Sequence, residues 1–303
     1  MNNNHTREQR WIGRIALTTV GATFFLLILG GIVSSKGVGM AVPDWPTTFG
    51  YNMFTYPLSK MVGGIFYEHS HRLIGSLVGF LTIGLSTAIL WKDNRKWLKV
   101  LSVVALFAVI AQGIMGGMRV VEISKMFAVA HGAFAHAFFA LIVSIAFFLS
   151  NYWKEISSDD NVMEASKLRR FSVITSIAIY LQLIAGAVYR HTGNWFWVHM
   201  LLALIVTTII FLLMDSVNKK VGKVTFLRRT SITLSALIVL QLFSGLGAYM
   251  TKLISPDPLT ASSIVVTITV IHVLSGALIF SSSVLLTLGI FKCTKESQEL
   301  AAA

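Results

Sequence analysis

The chain has 303 residues, of which 55% are hydrophobic and only 13% are charged. Soluble domains carry about 25% charged residues, and a mean hydropathy of +0.73 over 33.3 kDa is too high for a water-soluble core. The composition therefore excludes an ordinary soluble protein and predicts an integral membrane protein. The excess of 25 Lys and Arg over 13 Asp and Glu is typical of cytoplasmic loops, so we do not interpret it as nucleic-acid binding. The single cysteine, Cys293, excludes an internal disulfide.

Eight apolar runs are long enough to cross a bilayer, because a span needs about 20 residues. We expect them to be helices, since lipid requires every backbone polar group to pair within the protein. The first run follows three arginines and precedes no small-residue cleavage site, which favours a retained anchor over a removed signal peptide. In chain order the predicted spans are Ala16–Ser35, His69–Trp91, Trp97–Met118, Phe127–Leu149, Phe171–Tyr189, Trp195–Met214, Thr230–Met250 and Ser263–Phe291.

The basic residues predict the orientation of these spans. The N-terminus, the loops after spans two, four and six, and the C-terminal tail together hold 18 Lys and Arg, whereas the other side holds 7. Because cytoplasmic segments carry the excess of Lys and Arg, we expect both termini in the cytoplasm. The sequence thus predicts a multi-pass protein of the cell membrane.

The chain reads as two halves of four spans each, residues 1–155 and 156–303. Polar residues recur at matching places in the two halves. The matched pairs are His71 with His199, Gln112 with Gln241, and His131 with His272, at offsets of 128, 129 and 141 residues. The longer last offset indicates an insertion in the loop of residues 251–263. We therefore predict an all-α fold of two four-helix-bundle halves related by a pseudo-twofold axis along the membrane normal.

Four histidines occupy the four even-numbered spans: His71, His131, His199 and His272. Each of these spans enters from the outer side, so the imidazoles should lie roughly 5–15 Å below the outer interface. An imidazole in lipid needs a hydrogen-bond partner or a metal, and two on facing helices can ligate a haem iron from both sides. Interhelical hydrogen bonding is the alternative explanation for a single such histidine. Four in register favour two haem sites, into which small residues beside the ligands, such as Gly75 and Gly79, would admit a flat ring.

Glu68 stands apart from the other carboxylates because it lies at the head of span two. It shares a helix face with His71 and is four residues from Arg72, close enough to pair with it. Two interpretations follow: a carboxylate that serves chemistry beside a bound cofactor, or a structural acid neutralised by Arg72. The positions before His199 carry no acid. This asymmetry suggests that one site performs chemistry and the other holds a cofactor.

The remaining histidines are weaker candidates. We expect His69 and His136 to be packing or interfacial residues, because they point elsewhere on helices that already carry a ligand candidate. Arg190 and His191 lie in the loop after span five, where they are candidates for contacting a haem propionate, as is Arg72. The long loop before span two, rich in Pro, Gly and aromatic residues, would cover the outer mouth or lie in the interface.

Taken together, these residues resemble the haem A synthases. The resemblance rests on an E-x-x-H-R string (Glu68 to Arg72), on single histidines in spans four, six and eight, on a P-D-W-P string (Pro43 to Pro46) and on R-H-T-G (Arg190 to Gly193). It covers about residues 12–292. Many bacterial members carry a cysteine pair in the first outer loop; this chain has none, so a disulfide-linked redox role cannot operate here.

The resemblance implies oxidation of the C8 methyl group of haem O by two successive hydroxylations to a gem-diol, which loses water to leave a formyl group and gives haem A for terminal oxidases. It implies that His71 and His131 bind the substrate haem, that His199 and His272 hold a haem b cofactor, and that Glu68 serves the oxidation. The expected partners are haem O, haem O synthase and membrane lipid. The electron donor stays unidentified and homo-oligomerisation stays open. The alternative functions are a di-haem b-type electron-transfer cytochrome and a transporter with histidine proton relays.

Overall fold

The computed structural model describes residues 2–156, 164–254, 257, 259 and 261–294. Within these residues it contains nine α-helices: α1 (Asn2–Ser35), α2 (Gly63–Lys92), α3 (Lys96–Val121), α4 (Lys125–Leu149), α5 (Asn151–Glu155), α6 (Ala165–Thr192), α7 (Phe196–Val221), α8 (Thr225–Ile254) and α9 (Ser263–Cys293). The predicted all-α fold is confirmed. An isolated β-bridge joins Thr48 to Tyr51 in the loop between α1 and α2.

Every helix in this set except the five-residue α5 is long and apolar enough to span a membrane. Each predicted span falls on one of these eight helices, so the protein is a multi-pass membrane protein. The helices extend beyond the predicted ends by up to seven residues, and α1 begins 14 residues before its predicted span. The agreement follows from the length rule: an uninterrupted apolar run of this size has one stable form in lipid, a helix that pairs its own backbone groups.

The start of α2 differs from the prediction. The helix begins at Gly63, six residues before the predicted span, so Glu68 and His71 lie in its second and third turns rather than at its head. Gly63 to Tyr67 begin with two glycines, which favour helix poorly, and are separated from the apolar run by the polar string Glu68 to Arg72, so the sequence alone places them in the preceding loop. The preceding loop therefore covers residues 36–62, hereafter the first loop, and contains two short 3-10 turns, Met53–Thr55 and Leu58–Lys60.

Short connections join the other helices, and local side chains stabilise them. Between α2 and α3, the Asp93 carboxylate accepts hydrogen bonds from the backbone and the guanidinium of Arg95. The Ser150 hydroxyl accepts from the backbone N–H of Trp153 and caps α5. Gly193, with φ +78°, ends α6 in the left-handed conformation that glycine adopts without strain. The predicted connector between the halves and the loop of residues 251–263 lie partly outside the described residues.

The chain divides into two compact units. The first comprises Met1–Ala146 and Leu242–Leu274; the second comprises Phe147–Gln241 and Ser275–Ala303. In the first unit α1 packs on α2, and α2 packs on α3. A hydrogen bond of 2.8 Å from the Ser86 hydroxyl to the Ser102 carbonyl oxygen links α2 to α3. The predicted boundary between halves at residue 155 stays a prediction.

The second unit has a continuous apolar core. Buried side chains from α6, α7, α8 and the C-terminal part of α9 form it, including Ile210, Leu213, Leu227, Leu234 and Leu286. Polar residues tie the same helices together: the Ser176 hydroxyl lies 2.8 Å from that of Ser283. Such hydroxyl pairs are common between helices in lipid, where apolar contact alone supplies little driving force.

Candidate metal centre

His131 is oriented by α3. Its Nδ1 lies 3.1 Å from the Gln112 carbonyl oxygen, and the Gln112 side-chain Nε2 donates to the carbonyl oxygen of His131 at 3.3 Å. The ring also lies against Gly116, where an added methyl group would come within 3.1 Å of Cε1. A hydrogen bond at Nδ1 fixes the ring and leaves Nε2 available as a ligand.

His71 is held in the same way by α1, but less tightly. A methyl group on Gly30 would lie 3.0 Å from its Cε1. The ring faces the backbone of Leu26, four residues before that glycine, just as His131 faces Gln112. Among the described residues, however, the buried Nδ1 of His71 has no hydrogen bond of ordinary geometry. His71 therefore lies against a glycine in the same way as His131, but it lacks the hydrogen bond at Nδ1 that fixes the orientation of the His131 ring.

The structure brings His71 and His131 together. Their ring centroids are 6.4 Å apart and their planes are inclined at 81°. Two imidazoles that bind one metal ion, with metal–nitrogen distances of about 2 Å, have ring centroids roughly 6 Å apart. The described residues contain no group of three or more His, Cys, Asp or Glu that could hold a metal ion. The donor set thus fits an ion needing only two protein ligands, as haem iron does, since the porphyrin supplies the others.

Glu68 and Arg72 form the predicted ion pair, with Arg72 Nη2 2.9 Å from Glu68 Oε1 and both side chains at most 10% exposed. The other carboxylate oxygen of Glu68 accepts a hydrogen bond from the Val42 backbone N–H at 2.9 Å. Arg72 also donates to three carbonyl oxygens of the first loop, those of Val42, Asp44 and Thr47. Glu68 and Arg72 therefore attach the first loop to α2, one helical turn from His71.

The P-D-W-P string builds the same loop. Asp44 accepts hydrogen bonds from the backbone N–H groups of Phe49 and Gly50 and from the Thr47 hydroxyl. Burial raises the pKa of Asp44, but these hydrogen bonds outweigh it and hold the pKa below its usual value. The Trp45 ring lies on Gly117 of α3, where a methyl group would overlap it at 2.3 Å. The Trp45–Pro46 peptide bond is cis.

His69 and His136 lie where packing residues were expected. The buried His69 places Nδ1 3.1 Å from the Thr48 hydroxyl and its ring 5.1 Å from that of Tyr56, so it contacts the first loop. His136 Nδ1 lies 2.7 Å from the Gly132 carbonyl oxygen of its own helix. Both roles as non-ligands stay predictions that these contacts support.

His199 lies in the second unit and repeats the pattern of the first pair. A methyl group on Gly186 of α6 would lie 2.9 Å from its Cε1, and its ring has a backbone contact with Gln182. The Gln182 Nε2 donates to the His199 carbonyl oxygen at 3.0 Å. The expectation that Arg190 and His191 lie in a loop is wrong: α6 continues to Thr192, so both residues occupy its last turn, half-buried.

His272 lies in the first unit. A methyl group on Gly245 would lie 2.8 Å from its Cε1, and its Nδ1 is 3.5 Å from the Ser244 hydroxyl. All four histidines in register thus press Cε1 against a glycine of the preceding membrane span.

These glycines are functional candidates that sequence analysis missed. It placed the small residues on the ligand helices, yet the space at Gly79 is open and Gly75 meets only a distant leucine methyl. A usable signal was present: three of the four glycines stand four residues after a glutamine. They are Gly116 after Gln112, Gly186 after Gln182 and Gly245 after Gln241.

Fold and site together define a multi-pass helical membrane protein with paired imidazoles suited to axial ligation of a metal. The chain belongs to the cytochrome oxidase assembly protein family, whose profile matches residues 13–196. That match includes His71 and His131 and ends before His199.

Curated relatives carry the name heme A synthase. The chain is 28% identical over 196 residues to the one from Lysinibacillus sphaericus (strain C3-41), covering 63% of this chain and 60% of the relative. The relative from Shouchella clausii (strain KSM-K16) is 27% identical over 189 residues, 59% of each chain. That from Alkalihalophilus pseudofirmus is 28% identical over 180 residues, 58% of each chain. The matches thus span about three-fifths of the length of these relatives.

Proposed function

We propose that this protein is a haem A synthase, a membrane oxidoreductase that converts the C8 methyl group of haem O into the formyl group of haem A. The observation that carries the proposal is the His71–His131 pair, with ring centroids 6.4 Å apart. The family membership and the names of the relatives support it. The substrate is itself a haem, and in this proposal the pair binds that substrate rather than a resident cofactor.

In this proposal His71 and His131 hold the iron of haem O and thereby fix the position of its methyl group. Two permanent axial ligands block access to the iron, so one histidine must leave for oxygen chemistry. We assign that role to His71, because its Nδ1 lacks the fixing bond that His131 receives from Gln112. His131 stays bound and keeps the substrate oriented.

Glu68 acts as an ionised carboxylate in this scheme. Both of its oxygens accept hydrogen bonds, from Arg72 and from the Val42 N–H, which is the bonding pattern of a carboxylate. Its negative charge would stabilise positive charge that develops on the oxidised substrate carbon.

His199 and His272 hold a haem b cofactor in this proposal. The imidazole donors suit the group, and each ring is seated on a glycine, Gly186 or Gly245, in the same way as the substrate ligands. The cofactor would supply electron transfer for the oxidation. Arg190 and His191 at the end of α6 would support propionate groups. Arg72, the other predicted candidate, has both Nη atoms engaged by Glu68 and the first loop, which leaves only its Nε for such a contact.

The proposed setting is the cell membrane, with both termini in the cytoplasm and residues 1–155 and 156–303 as the two halves. Haem O synthase supplies the substrate, and membrane lipid surrounds the protein. A di-haem b-type electron-transfer cytochrome is the second candidate. It is favoured by the engagement of Glu68 with Arg72 and the first loop, which is what a purely structural acid would show.

Glu68→Gln separates the two functions. The substitution keeps the side-chain volume and removes the charge, so the protein should still bind haem while haem O or a hydroxylated intermediate accumulates. Haem is extracted from cells that also express haem O synthase and is identified by mass. Glu122→Gln, the same change at an exposed acid at the end of α3, is the control and should yield haem A. Normal haem A from Glu68→Gln would refute the catalytic role, and no haem A from the unaltered chain would refute the function.

A further inference from the structure

Arg119 is a half-buried cation at the outer end of α3 that the proposed mechanism does not use. Its guanidinium lies directly on the backbone of Gly39 in the first loop, where a methyl group would overlap Nη2 at 2.3 Å. Its charge acts on both His71 and His131 and also on Glu68. Arg119 therefore sits beside the proposed substrate site.

The two arginines next to this site differ in what they bind. The two Nη atoms of Arg72 donate hydrogen bonds to Glu68 and to three carbonyl oxygens of the first loop. Across the described part of the chain, Arg119 makes no side-chain hydrogen bond, and none of the ion pairs found there includes it. Glu68 makes its ion pair with Arg72 and accepts a hydrogen bond from the Val42 N–H, and no direct ion pair joins it to Arg119.

A charged side chain within a membrane span is costly unless it pairs with an opposite charge or reaches water. Among the described residues Arg119 has no ion-pair partner, so its guanidinium is free to receive an anionic ligand. A guanidinium presents its donors in a planar fork that matches a carboxylate. A haem carries two propionate carboxylates on one edge, and the neighbouring histidines are spaced for its iron.

We propose that Arg119 binds a propionate of the haem held by His71 and His131 and thereby sets which edge of the porphyrin faces the first loop. This inference rests on the proposed function, since it takes the substrate to be a haem. It adds to the haem site a subsite that binds a carboxylate. From the sequence alone, the charge of Arg119 indicates only the orientation of α3 in the membrane. Gly39 is the second component, because only a residue without a side chain lets the guanidinium lie against the first loop.

The test uses two probes, ferric protohaem and the same haem with both propionates esterified. Each is titrated into the purified full-length protein in detergent and followed by Soret absorbance. The signal assigned to this site is the part that a His71→Ala/His131→Ala double variant loses. Arg119→Gln is the test variant, Arg119→Lys keeps the charge without the fork, and Arg229→Gln, at an exposed position near the start of α8, is the control.

The unaltered protein should bind the free acid about tenfold more tightly than the ester, as expected for a charge-assisted hydrogen bond. Arg119→Gln should bring the affinity for the acid down to that for the ester and leave the ester unchanged, Arg119→Lys should recover part of the loss, and Arg229→Gln should match the unaltered protein. Equal affinity of the unaltered protein for acid and ester, or an equal loss for both probes in Arg119→Gln, would overturn the assignment. Absence of any histidine-dependent signal would instead refute the substrate site itself, and this inference with it.

Discussion

The glycine contact behind His131 gives a quantitative prediction for Gly116→Ala. The new methyl group would lie 3.1 Å from Cε1 and 3.4 Å from Nδ1, whereas carbon atoms pack best about 3.5–4.0 Å apart. The ring must therefore move away from α3 by about 0.4 Å. The same movement stretches the 3.1 Å contact from Nδ1 to the Gln112 carbonyl oxygen to about 3.5 Å, beyond the range of a good hydrogen bond.

Loss of one such hydrogen bond costs about 0.5–1.5 kcal/mol, which is about a two- to tenfold change in affinity. We expect Gly116→Ala to weaken histidine-dependent haem binding by that factor, measured by Soret titration against the His71→Ala/His131→Ala background. Gly113→Ala is a matched control, because Gly113 lies on the same helix and a methyl group there meets no atom within 4 Å. Both changes gain the same helix propensity, about 1 kcal/mol.

Comparing the haem affinities of Gly116→Ala and Gly113→Ala tests whether the glycine contact orients His131. Unaltered haem affinity in Gly116→Ala, or an equal loss in Gly113→Ala, would mean that the glycine contact does not orient the ligand. A loss confined to Gly116→Ala that disappears at saturating haem would mean that the ring is displaced and not that the fold is broken.

Two further predictions concern the second histidine pair and the first loop. His199→Ala and His272→Ala should each remove the b-type absorbance of the purified protein, and retention of that spectrum would reverse the assignment of the two sites. Because the pKa of Asp44 is lowered, its stabilisation of the first loop should be complete above the usual carboxyl pKa and should fade as the pH falls through the lowered value. Amide hydrogen exchange at Phe49 and Gly50, corrected for the intrinsic rate at each pH, should report this loss. Asp44→Asn keeps one acceptor oxygen and has no titrating group, so its protection should be weaker and should not change with pH; an identical pH response in both proteins would contradict the role of the carboxylate.

The features predictable from sequence are those that depend on one helix at a time. Eight spans follow from run length, and the Glu68–Arg72 pair follows from a separation of four residues on a helix. The start of α2 was placed too late because Gly63 to Tyr67 lie before the strongly apolar part of the helix. Helix ends of this kind depend on what the first turns contact, here the first loop.

Features that depend on how one helix faces another were not predictable. The four glycines that contact the histidines are among the 23 glycines of the chain. Their role depends on which face of each odd-numbered span packs against the following span. Arg119 was counted only as an outer basic residue. Its significance appears only in the structure. There α3 brings Arg119 beside His71 and His131, and none of the ion pairs among the described residues includes it.

The glycine contacts have a consequence for redesign of the protein. Each imidazole lies so close to a glycine of a neighbouring helix that no side chain fits between them, and this contact restricts the tilt of the ring. The lining of the pocket could therefore be exchanged widely to admit porphyrins with other substituents while the geometry at the metal is retained. An engineer would keep the four glycine–histidine contacts together with Glu68 and Arg119, and would vary the other residues of the wall.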